Sequence, residues 1–425
     1  MPTGPITFLL TALLAASAVS PVSVSSTTSS GTGGRAPGEH QHSDGARLVL
    51  TGGSGLARIP IDLRGNHIYL RGRINDSDSL WMVLDSGASS NAIDAGLARA
   101  LGLATTGSGR AQGAGGSVDV SSVTSATVRL PGATLEATSL GAMPLGAFRI
   151  QTGRSMDVIL GHPLISRCVL RIDYVARTLD ILPADSFRYQ GSGTVLPLTF
   201  ERSLPYIRAR ITLPGRAPVE GRFVIDLGSS QALILGPSFV RDERVVEALP
   251  RTVQARGRGV GGQIQSLAGR VSRVEFGGVR IDEPVSVLRV SDQGFISAPG
   301  TAGNIGGEIL RRFLVILDYP RKRMILEPNA QFGEPFDADM SGLTPRLGPE
   351  GSGALQVDWI QPGSPAAEAG LLPEDLIEQV NGRPAEEIGI PGLREMFRRA
   401  GETHRMRVRR GDTRMEIVFT TRRLI

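Results

Sequence analysis

The chain has one cysteine in 425 residues, Cys168, which excludes an internal disulfide and fits an exported protein that has shed reactive thiols. Cys168 lies in the apolar run Cys168-Val169-Leu170, a setting for core filling and not for a nucleophile. Lysine is equally scarce. Lys322 stands alone, so the net charge of +5 comes almost wholly from arginine. Aromatics are 5% of the chain and are not interleaved with the arginines, and no helix-turn-helix or zinc-finger spacing occurs, which argues against nucleic-acid binding. The histidines, His40, His42, His67, His162 and His404, are scattered without ligand spacing, so no zinc site, no Ser/His/Asp triad and no cofactor is expected. Long apolar runs are missing as well. The stretch Ile6 to Val19 is too short and too weak for a membrane span. With Ala16-Ser17-Ala18 as a small-residue cleavage site, it reads as a signal peptide over 1–18, although no Lys or Arg precedes it. A Ser/Thr/Gly-rich run follows, and residues 19–58 are expected to be a disordered linker.

What the chain has in abundance is glycine (54) and proline (27), a composition for short strands and many turns. It also carries one run of landmarks twice. Trp81-Met82-Val83-Leu84-Asp85-Ser86-Gly87-Ala88-Ser89 is matched by Arg222-Phe223-Val224-Ile225-Asp226-Leu227-Gly228-Ser229-Ser230. Glycine clusters follow, Gly113-Ala114-Gly115-Gly116 and Gly259-Val260-Gly261-Gly262, then Ile159-Leu160-Gly161 and Asn304-Ile305-Gly306. Asp173-Tyr174 and Asp318-Tyr319 close each copy. The offsets are 141 (226 − 85), 146 (259 − 113), 145 (304 − 159) and 145 (318 − 173), so the domain is duplicated. Alternating segments such as Ile68–Ile74, Ser125–Leu130, Leu179–Leu182 and Tyr206–Ile211 read as strands. Short helices are predicted at Asp94–Leu101 and after Gly161, and neither half alternates strands with long helices.

One aspartate per copy sits at the end of an apolar strand, in a loop of small residues. Packing holds such a carboxylate from one side and backbone amides reach it from the other, closest where glycine is present. Two such loops brought face to face give carboxylates that cannot ionise together. One keeps a proton while the other acts as base, which activates a water and protonates a carbonyl without metal or covalent intermediate. Asp173 and Asp318, before tyrosines, suit strand-end capping better than chemistry. Gly257-Arg258-Gly259-Val260-Gly261-Gly262 matches a dinucleotide spacing literally, but no helix follows it, so the match is rejected.

Asp-Ser-Gly-Ala-Ser after an apolar strand, a glycine-rich hairpin and an Ile-Leu-Gly segment together resemble the retropepsin-like aspartic proteases, in both copies, over roughly Ile59 to Pro328. The resemblance implies two β-barrel lobes, 59–195 and 196–335, each giving one catalytic aspartate, Asp85 and Asp226. It further implies active-site loops containing Ser86, Gly87, Ala88, Leu227 and Gly228, and flaps tipped by Gly115, Gly116, Gly261 and Gly262. Leu227 departs from the pattern, because the family has Thr or Ser there to brace one loop against the other.

From about Ser341 the pattern changes. Pro362-Gly363-Ser364-Pro365-Ala366-Ala367-Glu368-Ala369-Gly370-Leu371, then Asp375-Leu376-Ile377 and Val380-Asn381-Gly382, resemble a bacterial-type PDZ domain spanning 336–425. Glu374 replaces the glycine usual before that aspartate. A PDZ domain adds a peptide as an extra strand and takes its terminal carboxylate on backbone amides. The resemblance puts the carboxylate loop at Ser341-Gly342-Leu343-Thr344, with Leu393 and Phe397 of a helix from Pro391 to Ala400 lining the groove. The expected molecule is mainly β, an exported, bacterial aspartic endopeptidase of two lobes and a PDZ domain. Its partners are expected to be a peptide or protein substrate and C-terminal peptides, with no nucleic acid and no membrane span. The alternative, which Leu227 favours, is a catalytically inactive peptide-binding scaffold.

Overall fold

The computed structural model describes residues 45–51 and 55–425, and the backbone alone of residues 5–7 and 15–16. Most of the expected leader and linker lies outside the described residues. The linker expectation fails at its C-terminal end, where Arg47–Leu50 pairs antiparallel with Leu135 and its neighbours and Ala57–Pro60 pairs with Thr178–Ile181. Each strand is only four residues long, too short for its alternation to stand out, yet Ala57 and Ile59 are fully buried. The backbone of Pro5–Thr7 runs parallel to Gln254–Arg256, and Ala15–Ala16 runs antiparallel beside Ala111–Gln112.

The two lobes are built to one plan. In the first, the sheet order is Thr105–Gly113, Gly116–Leu130, Ala133–Met143, Asn91–Asp94, Val158–Leu160, Leu80–Leu84, His67–Ile74 and Asp62–Arg64. In the second it is Val253–Gly259, Gly262–Arg270, Val285–Arg289, Leu233–Leu235, Gly303–Gly306, Val219–Asp226, Leu204–Thr212 and the hairpin Arg273–Phe276/Val279–Asp282. In each lobe the strand ending in the aspartate loop lies parallel to the short strand that closes on glycine, Leu84 opposite Leu160 and Asp226 opposite Gly306. The aspartate loops are thereby clamped between apolar strands, and the short helices His162–Ile165 and Gly307–Leu310 follow at once.

The lobes are joined by a third, six-stranded sheet to which both contribute. Val169–Asp173 of the first pairs with Phe313–Asp318 of the second, and Ala57–Pro60 and Thr194–Pro197 form its edges. One hydrophobic core accordingly runs through both lobes. Cys168 is fully buried within it, filling space as its sequence setting suggests. Asp173 caps a turn by accepting from the amides of Val175 and Ala176, while buried Asp318 accepts from the amide and guanidinium of Arg321 and pairs with Arg323. Among the described residues no helix is long and apolar enough to cross a membrane.

Residues from 341 onward form a separate sheet, Leu343–Leu347, Leu355–Ile360, Leu376–Val380, Thr403–Arg410 and Thr413–Thr420, with its own core. Ser364 caps the helix Pro365–Glu368 by accepting from the Ala367 amide, as its sequence signature suggests. Helical residues span Ala385–Met396, and Gly389, whose φ of 65° lies outside helical space, divides them into two helices, the second starting near Pro391 and ending short of Ala400. This third unit is strapped to the second lobe. Leu424 and Ile425 pack with Phe336 and Ala338 in the lobes' core, and Arg270 donates to the carbonyls of Phe336 and Ile425.

Candidate active site

Asp85 and Asp226 are brought together at the interface of the lobes. Asp85 is 2% exposed and Asp226 fully buried, and they lie within hydrogen-bonding reach of each other. The Gly87 amide donates to Asp85 Oδ1 at 2.8 Å, and the Gly228 amide reaches Asp85 from the opposite loop. A Cβ on Gly228 would lie 2.2 Å from Asp85 Cγ, so only glycine admits the facing carboxyl. Ala88 is fully buried and donates its amide to the Asp85 carbonyl at 3.3 Å.

The brace between the loops is one-armed. Ser86 Oγ donates to the Ile225 carbonyl at 2.7 Å and accepts from the Leu227 amide at 2.9 Å, tying the first loop to the second. Leu227 has no hydroxyl to return the contact, and its side chain is wholly buried in the shared core. The second lobe has a compensating group that the sequence reading passed over. Asn304 Nδ2 donates to Asp226 Oδ2, from a position that is apolar Ile159 in the first copy. The only trace of this in the sequence is an amide where the other copy has an aliphatic residue.

Burial is the first cause of raised pKa values in this pair. It pushes Asp85 up to about 7, against the opposing pull of the Gly87 amide and of its bond with Asp226. Asp226 is held well above the usual carboxylate range by burial first and by the Asp85 charge second. The pair therefore retains at least one proton at neutral pH, the state that general acid–base chemistry on one water requires.

The two glycine clusters are the tips of hairpins, one from each lobe, that meet each other. The Gly115 amide donates to the Val260 carbonyl at 2.8 Å. A Cβ on Gly115 would lie 2.3 Å from the Gly262 carbonyl, and one on Gly261 2.2 Å from the Gly116 carbonyl. Each tip inserts into the other lobe. Val260 packs with Tyr69, Val83, Ala88 and Ile159, and Ala114 packs with Tyr206, Val224, Ile264 and Val287.

The expected peptide groove of the third unit is different from its sequence reading. Leu393 and Phe397 are fully buried in that unit's core, with Phe397 edge-on to His404, so they do not line a groove. They are four residues apart on one helical face, and that face is the one the core claims. Pro391, Arg394 and Arg398 line the cleft instead, across from His67 and Glu308 of the lobes. The loop amides are already engaged. Ser341 and Gly342 donate to Asp339 Oδ1 at 3.0 and 2.6 Å, and the Leu343 amide donates to Ser341 Oγ. Thr344 and Pro345 follow on the edge strand, where proline supplies no donor, and the helix Ala147–Thr152 of the first lobe packs against that strand.

Residues 70–164, which hold Asp85 and the first hairpin, match the family model for aspartyl proteases, and residues 356–410 match that of the PDZ domain. The architecture is accordingly mainly β, an aspartic-protease-type pair of lobes followed by a PDZ domain. The second lobe lies outside the matched stretches, and its kinship to the first rests on the duplication and the common strand order. Among solved structures, the chain is similar to the aspartic proteinase from Irpex lacteus, at 13% identity and a TM-score of 0.39, over 66% of this chain and 99% of that one.

Proposed function

We propose that the protein is an aspartic endopeptidase in which Asp85 and Asp226 share one proton and activate one water. The observation that carries this reading is the pairing of two buried aspartates from duplicated loops, in lobes whose hairpins also interlock. In this scheme one carboxylate takes a proton from the water as it attacks the scissile carbonyl, and the other gives its proton to the carbonyl oxygen. The Gly87 amide and Asn304 hold the two carboxyls, Ser86 ties their loops together, and the hairpins close over an extended peptide. We further propose export, on the strength of the apolar stretch at residues 6–19. Sequencing the N-terminus of the mature protein tests it.

The test of the activity is incubation of the purified chain with a peptide library between pH 4 and pH 8, with products identified by mass. Internal cleavage is expected. Binding without cleavage at every pH would support the inactive scaffold instead, the reading that the one-armed brace favours. The loop of the PDZ unit offers few free amides to a C-terminal peptide, since Asp339 holds two of them and Pro345 lacks one. A fixed buttress that positions the first-lobe helix is the reading those contacts favour.

A further inference from the structure

Among the described residues two arginines, Arg289 and Arg312, are fully buried, and they are treated very differently. Arg312 donates to the carbonyls of Glu308, Gln331, Glu334 and Pro335, and the Glu308 carboxylate lies 3.5 Å from it. Arg289, 1% exposed, has main-chain carbonyls only: both terminal nitrogens donate to Ala114 O at 3.2 Å, and one also donates to Gln293 O at 2.9 Å. Its Nε has no partner, and no ion pair to it is found among the described residues. The nearest acidic residue in sequence, Asp292, is exposed and committed to Arg241 at 2.8 Å. Burial alone pushes the Arg289 guanidinium down, to about 10. A buried cation without a carboxylate is costly, and folded proteins seldom retain one without use.

The position of Arg289 indicates the use. It ends the strand Val285–Arg289, two residues beyond Val287 and so on the same face. Val287 belongs to the second lobe's apolar cluster, together with Tyr206, Ile264, Phe295 and the inserted Ala114. Ser266 lies directly opposite Arg289 in the antiparallel ladder, two residues beyond Ile264 of that same cluster. Its hydroxyl is likewise buried and without a partner. Opposed residues of an antiparallel pair share a face, so Arg289 and Ser266 bring two unused donors, Nε and Oγ, to one side of the sheet beside the apolar cluster that the hairpin tip enters. The carbonyl of the hairpin tip now rests on the guanidinium, and Gly294, at φ 84°, leaves room for it: a Cβ there would lie 2.6 Å from Ala114 O. The first copy has no equivalent cation. Its corresponding segment reads Met143-Pro144-Leu145.

We infer that Arg289, with Ser266, is a carboxylate-recognition site in the second-lobe half of the cleft, and that preferred substrates present a carboxylate to it when the hairpin tip lifts away. This deepens the endopeptidase reading by naming a substrate class, acidic peptides. The Ala114 carbonyl is the weaker acceptor that holds the place, and a carboxylate exchanges a neutral acceptor for a charged one. The carboxylate comes either from an acidic side chain close to the scissile bond or from a nearby free C-terminus.

The experiment uses the full chain and matched peptides, Glu against Gln at each position flanking the cleavage point, and C-terminal acid against C-terminal amide. A charge-assisted bond of the usual strength gives the wild type a preference for the carboxylate of about ten- to a hundredfold in kcat/KM. The first peptide pair reports side-chain carboxylates and the second reports chain ends. Arg289→Met is expected to bring the ratio close to one, Arg289→Lys to keep part of it, and Ser266→Ala to lower it by less. Binding of the same peptides to Asp85→Asn, measured by calorimetry, separates the two proposals. Carboxylate-dependent binding that Arg289→Met abolishes, without turnover in the wild type, would sink the enzyme reading and leave this one standing. Turnover with equal rates on acid and amide peptides, or a wild-type ratio that survives Arg289→Met, overturns the inference, as does a chain that neither cleaves nor binds any carboxylate-bearing peptide. The wild-type ratio needs no variant, so a poorly folded Arg289→Met does not block the test.

Discussion

The two buried aspartates make stability depend on pH. Burial raises both pKa values above those of an unfolded chain, so their contribution to stability is complete below about pH 4 and is lost as pH rises through about 7, where Asp85 titrates. Asp85→Asn is therefore expected to melt higher than wild type at pH 7.5 and to show little difference near pH 4. Melting curves at the two pH values check this, and a wild type that is the more stable at pH 7.5 would refute it. The same shifts place the singly protonated pair toward neutrality, so kcat/KM is expected to rise from pH 4 towards 7. Leu227→Thr is expected to lose on the order of 1–3 kcal/mol, because a buried leucine packed in the shared core outweighs one restored hydrogen bond. Chemical denaturation measures it directly. Asp85, Asp226 and their glycines were legible because strand, carboxylate and turn lie within nine consecutive residues. Asn304 and Arg289 were not, since Asp226 and the Ala114 carbonyl, on which they act, are brought near them only by folding.

Among the elements, the paired hairpins are the most exacting. Gly261, at φ 93°, approaches the Gly116 carbonyl so closely that any side chain must part the tips. Gly261→Ala is expected to speed amide hydrogen exchange at Gly115 by about tenfold or more, the counterpart of losing roughly 1.4 kcal/mol of closure. Unchanged protection at Gly115 would mean that the tips are held by something other than their mutual backbone contact. The strands and hairpins were readable from alternation and glycine spacing. The PDZ helix was readable from Pro391, since Gly389 leaves helical space and a helical stretch begins just after it, but the groove-facing residues were misassigned. Leu393 and Phe397 are apolar, and in a small domain the core takes the apolar face first.

At the scale of the whole molecule, the duplication foretold two lobes but not their fusion. The strands that form the joining sheet look like any others in the sequence, and only their pairing across the pseudo-twofold reveals one continuous core. Nor did the sequence disclose how firmly the PDZ unit is held. Leu424 and Ile425 bury apolar surface on the second lobe, and Arg398 reaches Glu308 at 3.6 Å. Removing those two residues forfeits about 1.5–3 kcal/mol for each side chain and is expected to open residues 329–342 to early proteolytic cleavage. A digestion pattern identical to the wild type would show that the strap does not fasten the unit.

The endopeptidase account stands on the two carboxyls acting as one unit, and the most direct measurement is kcat/KM for wild type, Asp85→Asn and Asp226→Asn on a single cleaved peptide. Each variant leaves the fold intact while removing a proton acceptor or donor from one side of the water. Each is expected to fall by at least about a hundredfold, and the double variant to fall little further, as for groups that work together. Wild-type turnover in either single variant would contradict the account.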